Sequence, residues 1–118
     1  MILVTEYHQK GSLFDYLNRP NTSLSTEVSF KLIKSALKGL LHLHSDIHTA
    51  QNNKPSIAHR DIKSKNILIC GSDPSDLDIS CVLADFGFAV TKDELIEEEN
   101  NVRVGTKRYM SPEVLDLR

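Results

Sequence analysis

The chain has 118 residues, and its 14 lysines and arginines stand against 16 aspartates and glutamates, for a formal net charge of −2. That balance argues against a general nucleic-acid or anionic-membrane binder. The length allows one small domain with its own core, no apolar run approaches the ~20 residues that cross a bilayer, and no signal-peptide pattern opens the chain.

Residues 1 to 5, Met1-Ile2-Leu3-Val4-Thr5, are short, apolar and β-branched, which predicts a strand. A chain that begins mid-strand is expected to be cut from something larger. Glu6 to Lys10 is polar and closes on Gly11, a turn or hinge. Ser12 is placed to cap a short helix, Leu13 to Leu17, that stops at Asn18-Arg19-Pro20. After a loop over residues 21 to 24, Ser25 is the N-cap of a long helix, with Glu27 in its first turn set favourably against the helix dipole. Ile33, Leu37, Leu40, His44 and Ile47 recur at spacings of three and four, widened by Ala36, Leu41 and Leu43. This stripe predicts an amphipathic helix of about six turns. Gly39 inside it is expected to mark a close approach to another helix. His42, His44 and His48 are expected to be packed or surface residues, because no carboxylate or cysteine completes a metal site with them.

Residues 49 to 55 form a polar connection to Ile57-Ala58. Ile67 to Cys70 and Ser80 to Ala84 are predicted strands joined through the turn-rich tip Gly71 to Asp76. Cys70 and Cys81, the only cysteines, are expected to be buried thiols rather than a disulfide, which suits a reducing compartment. Val90 to Asn101 is polar and acidic, and is predicted to be a solvated loop or frayed helix. Arg103, Lys107 and Arg108 then turn the chain basic.

The chemistry lies between these elements. His59-Arg60-Asp61-Ile62-Lys63-Ser64-Lys65-Asn66 sets a carboxylate, two ammonium groups and a carboxamide just ahead of a strand. Asp85-Phe86-Gly87 follows the second strand, and Gly105-Thr106 and Ser111-Pro112-Glu113 come after it. Asn66 and Asp85 are hard oxygen ligands of the kind Mg²⁺ prefers, with water and substrate phosphate completing its shell. The pattern fits phosphoryl transfer, where positioning and charge stabilisation dominate. Asp61 would orient an acceptor hydroxyl and take its proton, and Lys63 would neutralise charge on the transferred group. Lys65 reads equally well as surface charge. Phe86 is expected to pack against apolar surface.

The ordered set of His-Arg-Asp with its Asn, Asp-Phe-Gly and a Ser-Pro-Glu triplet resembles the eukaryotic protein-kinase signature. With Tyr7-His8, Gly11 to Leu17, His42-Leu43-His44, Lys54 to Ala58 and the closing run Val104 to Asp116, the chain resembles the transforming-growth-factor-β/activin/bone-morphogenetic-protein receptor serine/threonine kinases. The Gly105 to Met110 and Pro112 to Asp116 ending is similar to type I members more than type II. The resemblance implies an α+β, partial protein-kinase-like fold: the hinge and the front of the large, mostly helical lobe, with one small β-hairpin. Residues 1–118 would then be an incomplete kinase domain. By the same resemblance Thr5 is the gatekeeper, Glu6 to His8 is the hinge whose backbone bonds adenine, Asp15 lies near the ribose and Leu68 packs under the adenine. Asp61 is the catalytic base, Lys63 the loop lysine, Asn66 and Asp85 the metal ligands, and Thr106 the residue of the substrate-docking loop that meets Asp61 and Lys63. The implied cofactors are ATP and Mg²⁺, or Mn²⁺ in its place. The implied partners are a Smad-like protein substrate and a type II receptor, with no nucleic acid, at the cytoplasmic side of the plasma membrane in a single-pass parent.

Four departures stand against this pattern. Ser111 replaces the usual alanine, Phe86 stands where many type I relatives carry leucine, the hairpin tip is long and the segment after Gly87 is acidic. The 118 residues hold no glycine-rich loop, no strand lysine with its paired helix glutamate, and no later arginine to pair with Glu113. The parent is therefore expected to transfer the ATP γ-phosphate, and the fragment alone to be inactive. The alternative is a truncated, non-catalytic decoy or binding module of the same receptor family.

Overall fold

The longest element of the computed structural model, which describes residues 2–71, 78–96 and 103–116, is α2 at Thr26–His44. Ser25 caps it as predicted, its Oγ accepting from the Val28 N–H at 3.2 Å, and Glu27 pairs with Lys31 at 2.9 Å. The helix stops before Ile47, earlier than the stripe predicts. A cation meets its end: Lys54 Nζ donates to the carbonyls of Leu43 at 3.0 Å, Ser45 at 2.7 Å and Pro55 at 2.9 Å. Ile47 instead lies in β1 (Ile47–His48), antiparallel to β2 (Asn53–Lys54), in the stretch read as polar connection. His48 therefore shares no helix face with His44.

The core forms where α2 crosses a hairpin of β4 (Ile67–Cys70) and β5 (Ser80–Leu83), with Ile67 opposite Leu83 and Ile69 opposite Cys81. Tyr16 from α1 (Leu13–Leu17), Leu32 from α2, and Ile69, Ile79 and Cys81 make its centre. Ile69 is only 1% exposed, a burial that contributes roughly 1.5–3 kcal/mol. Backbone polarity at β5 is met from the helix: Ser35 Oγ donates to the Cys81 carbonyl at 2.9 Å and accepts the Cys81 N–H at 3.1 Å. Both cysteines are free thiols, and burial pushes each above the ordinary thiol range. A Cβ on Gly39 would meet the Leu83 side chain at 3.4 Å, so the close approach expected there is to a strand, not a helix.

The buried face of α2 keeps only one edge of the predicted stripe, Ala36 and Leu43, and adds Leu32. Leu32 and Leu43 are buried and Ala36 packs on the core, whereas Phe30, Ile33, Leu37 and Leu41 are exposed. These four fall at helical spacing and form one apolar strip on the outer side of the helix. Strips of this kind drive association in water. The double substitution Ile33→Lys with Leu37→Glu should therefore shift sedimentation of the 118-residue chain toward monomer. Its melting temperature should stay nearly unchanged, since exposed substitutions typically cost less than about 0.5 kcal/mol.

The opening residues are not a strand. Ile2, Leu3 and Val4 are exposed and no described residue pairs with them, because β propensity is realised only against a neighbouring strand. The segment joins the sheet later, where the Ile69 N–H donates to the Gly11 carbonyl at 3.0 Å and Ser12 bridges Leu68. Gly11 turns there at φ 73°. α1 follows from a capping box: the Asp15 N–H donates to Ser12 Oγ at 3.1 Å, and the Ser12 N–H and hydroxyl donate to Asp15 Oδ2 at 3.2 and 2.7 Å.

Part of the segment read as loop or frayed helix is ordered structure. β3 (Ile57–Ala58) pairs antiparallel with β6 (Val90–Thr91), and α3 (Lys92–Ile96) follows directly. A second reciprocal cap starts α3, since the Thr91 N–H donates to Glu94 Oε2 at 2.7 Å and the Glu94 N–H donates to Thr91 Oγ1 at 3.3 Å. The remainder of that reading, Glu97 to Asn101, and most of the hairpin tip lie outside the described residues. α4 (Pro112–Leu115) closes the described chain. Among the described residues no helix is long and apolar enough to cross a membrane.

Candidate active site

β3 delivers the chain into the loop of residues 59–66, and Arg60 turns it at φ 64°. That turn aims Asp61 inward, where it is 5% exposed. Its Oδ1 accepts the Thr106 hydroxyl at 2.8 Å, and its Oδ2 accepts Lys63 Nζ at 2.7 Å and Asn66 Nδ2 at 3.2 Å. Lys63 Nζ also donates to Thr106 Oγ1 at 2.9 Å, and Asn66 Nδ2 donates to the Asp61 carbonyl at 2.9 Å. Four of the residues singled out from the sequence thus meet in one hydrogen-bonded cluster. Burial pushes the Asp61 carboxyl up, but the hydrogen bonds of Lys63, Thr106 and Asn66 and the Lys63 charge outweigh it, leaving the group below the usual carboxylate range.

Asp85 reaches the same end of the hairpin by its backbone. The Ala84 N–H donates to the Asn66 carbonyl at 2.9 Å, and His59 Nε2 meets the Ala84 carbonyl at 3.0 Å. His59 Nδ1 accepts the Asp61 N–H at 3.3 Å, so Nε2 is the nitrogen that donates to the Ala84 carbonyl. A buried histidine therefore ties the residue before Asp85 to Asp61, and its ring packs 5.0 Å from Phe86 between centroids. Asp85 itself is exposed at φ 63°, with Oδ1 accepting the Gly87 N–H at 3.3 Å. Among the described residues its carboxylate makes no hydrogen bond to Asp61 or Asn66, and no three of His, Cys, Asp and Glu form a metal cluster. The donor set still suits a hard cation. Both Asn66 bonds to Asp61 use Nδ2, which turns its carboxamide oxygen away from Asp61, and Mg²⁺ commonly takes only one or two protein oxygens.

The residues expected around a nucleotide line one cleft of about 530 Å³: Thr5, Glu6, His8, Asp15 and Leu68, joined by Tyr7, Gly11, Ser12 and Lys65. Asp15 serves two ends here. Its Oδ2 is committed to Ser12, whose hydrogen bonds hold the carboxyl low, with lesser help from the charges of Lys65 and Arg19.

Two contributors carry little signal of their own in the sequence. His59 stands there as one member of a triplet, although its ring is the bridge between the loop and Ala84. Gly105 stands there as a neighbour of Thr106. It has φ 104°, and a Cβ there would collide with the Arg60 carbonyl oxygen. Its one legible signal was a glycine immediately preceding a site residue.

The protein kinase domain family matches residues 1–118. Over 117 residues, 97% of the chain, the sequence is 51% identical to activin receptor type-1B of Homo sapiens. Over the same length it is 50% identical to activin receptor type-1C of Rattus norvegicus and to TGF-beta receptor type-1 of Homo sapiens. The chain spans about a fifth of the length of these relatives, 21% of the first and 22% of the other two. A match that runs the whole chain and takes in every residue of the Asp61 cluster is decisive: this chain belongs to the protein kinase domain family, and within that family it is similar to the activin and TGF-beta type-1 receptors.

Proposed function

We propose that the protein carrying this chain is a receptor serine/threonine kinase that transfers the γ-phosphate of ATP to a serine or threonine of a protein substrate. One observation carries the reading. The Thr106 hydroxyl donates to Asp61 Oδ1 while accepting from Lys63 Nζ, so the site already holds a threonine-type hydroxyl between a carboxylate and an ammonium.

An acceptor hydroxyl held in the same way would have its proton aimed at Asp61 and its oxygen free toward the phosphoryl group. Because the Asp61 carboxyl is held low, it is a weak base that orients the hydroxyl and takes its proton late. Late transfer is what a loose phosphoryl-transfer transition state asks of it. Lys63, already bound to Asp61, sets positive charge beside the transferred group. Asn66 and Asp85 would hold Mg²⁺, which neutralises phosphate oxygens when bound. Adenine would lie in the cleft along Thr5 to His8 over Leu68, with the uncommitted Oδ1 of Asp15 toward the ribose. Similarity to the activin and TGF-β receptors supports a Smad-like substrate, a type II receptor partner and a place at the cytoplasmic face of the plasma membrane. We further propose that the 118 residues are an incomplete kinase domain, inactive alone, since they include no glycine-rich phosphate loop and no strand lysine.

The test assays the gene's full-length product and the 118-residue chain side by side, with γ-labelled ATP, Mg²⁺ and serine, threonine and tyrosine peptides. Label is expected on serine and threonine only, from the full-length product only, with Asp85→Ala raising the Mg²⁺ concentration required. A full-length product that transfers nothing leaves the non-catalytic binding module as the better reading. Transfer by the short chain would overturn the claim that it is inactive alone.

A further inference from the structure

A second cleft, of about 520 Å³, adjoins the Asp61 cluster and shares two of its residues, while the rest of its lining has no part in the chemistry above. Phe14, Lys63, Lys65, Thr106, Arg108 and Tyr109 line it. Its charge is one-sided, with three cations and no carboxylate. Lys63 is spent on Asp61 and Thr106. Lys65 and Arg108 make no ion pair among the described residues. Asp15, a carboxylate that does feel Lys65, lines the nucleotide cleft instead and is bound to Ser12. Each aromatic wall has a neighbour that positions it. Lys65 Nζ stands 4.8 Å from the Phe14 ring centroid, and the Tyr109 hydroxyl meets Ser64 Oγ at 3.1 Å.

The cleft shares Lys63 and Thr106 with the point where an acceptor hydroxyl would sit. An extended peptide advances roughly 3.3–3.6 Å per residue, so its occupant would be a side chain one or two residues from the acceptor. We propose that this cleft is a substrate subsite for an anionic side chain (aspartate, glutamate or a phosphorylated serine) flanking the serine or threonine to be modified, read by Lys65 and Arg108. The proposal rests on Asp61 being the centre of phosphoryl transfer. The guanidinium of Arg108 offers paired donors that match carboxylate or phosphate oxygens, and the ammonium of Lys65 adds an adjustable charge. Complementary charge of this kind selects among substrates more than it raises overall affinity.

The experiment uses the full-length protein with ATP–Mg²⁺ and serine peptides that differ only at the two positions on either side of the acceptor, carrying alanine, lysine, aspartate or phosphoserine. At one of these positions, kcat/KM should favour the anionic peptides by about tenfold over alanine and more over lysine, the worth of a charge-assisted hydrogen bond. The aspartate and phosphoserine arms separate a carboxylate reader from a phosphate reader. The ratio of anionic to neutral turnover should fall several-fold in Lys65→Ala and Arg108→Ala, and should invert toward the lysine peptide when both are changed to glutamate. Equal turnover of charged and neutral peptides, or a ratio indifferent to both variants, overturns the subsite and leaves the kinase reading standing. No turnover of any peptide counts against the kinase reading instead. Anisotropy of the same labelled peptides without ATP then decides the cleft. Charge-selective binding that Arg108→Glu abolishes supports the proposal, and charge-blind binding overturns it.

Discussion

Asp61→Asn in the full-length protein should lower kcat for phosphate transfer by about 10²–10⁴-fold, the usual worth of a positioned general base, with little change in nucleotide affinity. The asparagine oxygen can still accept the Thr106 hydroxyl. Its amide nitrogen then faces Lys63 Nζ and Asn66 Nδ2, two donors that now bond the same carboxylate oxygen. Three donors cannot satisfy one another, and Lys63 loses its counter-ion. Removing one partner of a fully buried pair costs about 3–5 kcal/mol; the loss here should be smaller, because the Lys63 side chain keeps 20% of its exposure. The pH dependence follows from the direction of the Asp61 shift. A carboxyl held below its unfolded value contributes stability that is fully present above the unfolded pKa and is lost as pH falls through the folded one. Wild-type melting temperature should therefore fall in that acid range by more than that of the asparagine variant. Asp61 stays ionised through neutral and mildly acid pH, so a loss of activity between about pH 5 and 7 that tracked this residue would contradict the assignment.

Local signals carried most of the site. Ser12 and Ser25 cap as their positions suggest, the two hairpin strands fall on the apolar runs read for them, and Asp61, Lys63, Asn66 and Thr106 meet. What failed depended on partners distant in the chain. Two faces of α2 carry apolar residues on a helical repeat, Ile33–Leu37–Leu41 at steps of four and Leu32–Ala36–Leu43 at steps of four and seven. Periodicity cannot say that Ile69 and Cys81 will pack against the face of Leu32 and Ala36. The helix end is set by Lys54, eleven residues beyond the Leu43 carbonyl it binds. The pairing of Ile57 with Thr91 spans a longer stretch of chain still, and hydropathy carries no trace of it. The Thr91–Glu94 cap is different in kind. It was legible as a Thr-x-x-Glu motif, and the acidic composition around it hid it.

Gly105→Ala should damage activity substantially, although Gly105 offers no functional group. Two independent objections meet at one methyl group. At φ 104° any side chain is strained, by about 1–3 kcal/mol for residues held in such regions. The added Cβ would also overlap the Arg60 carbonyl oxygen and lie 3.6 Å from Asp61 Oδ1. The loop behind Arg60 is fixed by His59 and Asn66, so relief must come from the Gly105 side. Lifting that segment draws Thr106 Oγ1 away from Asp61 and Lys63. A loss of about ten- to hundredfold in kcat/KM is expected, at 1.4 kcal/mol per tenfold, while the melting temperature should fall by only the few degrees that this strain is worth, because the core around Ile69 and Leu32 lies elsewhere. Thr106→Val removes the hydroxyl without the collision and supplies the decisive comparison. If Gly105 acts by seating Thr106, the double variant should be no worse than the poorer single one; additive losses would assign Gly105 some other role. Gly39→Ala is the matched control, since its Cβ would meet only the movable Leu83 side chain at 3.4 Å, within a helix that favours alanine. Glycine is required at 105 by a carbonyl that cannot move, and at 39 no such obstacle exists.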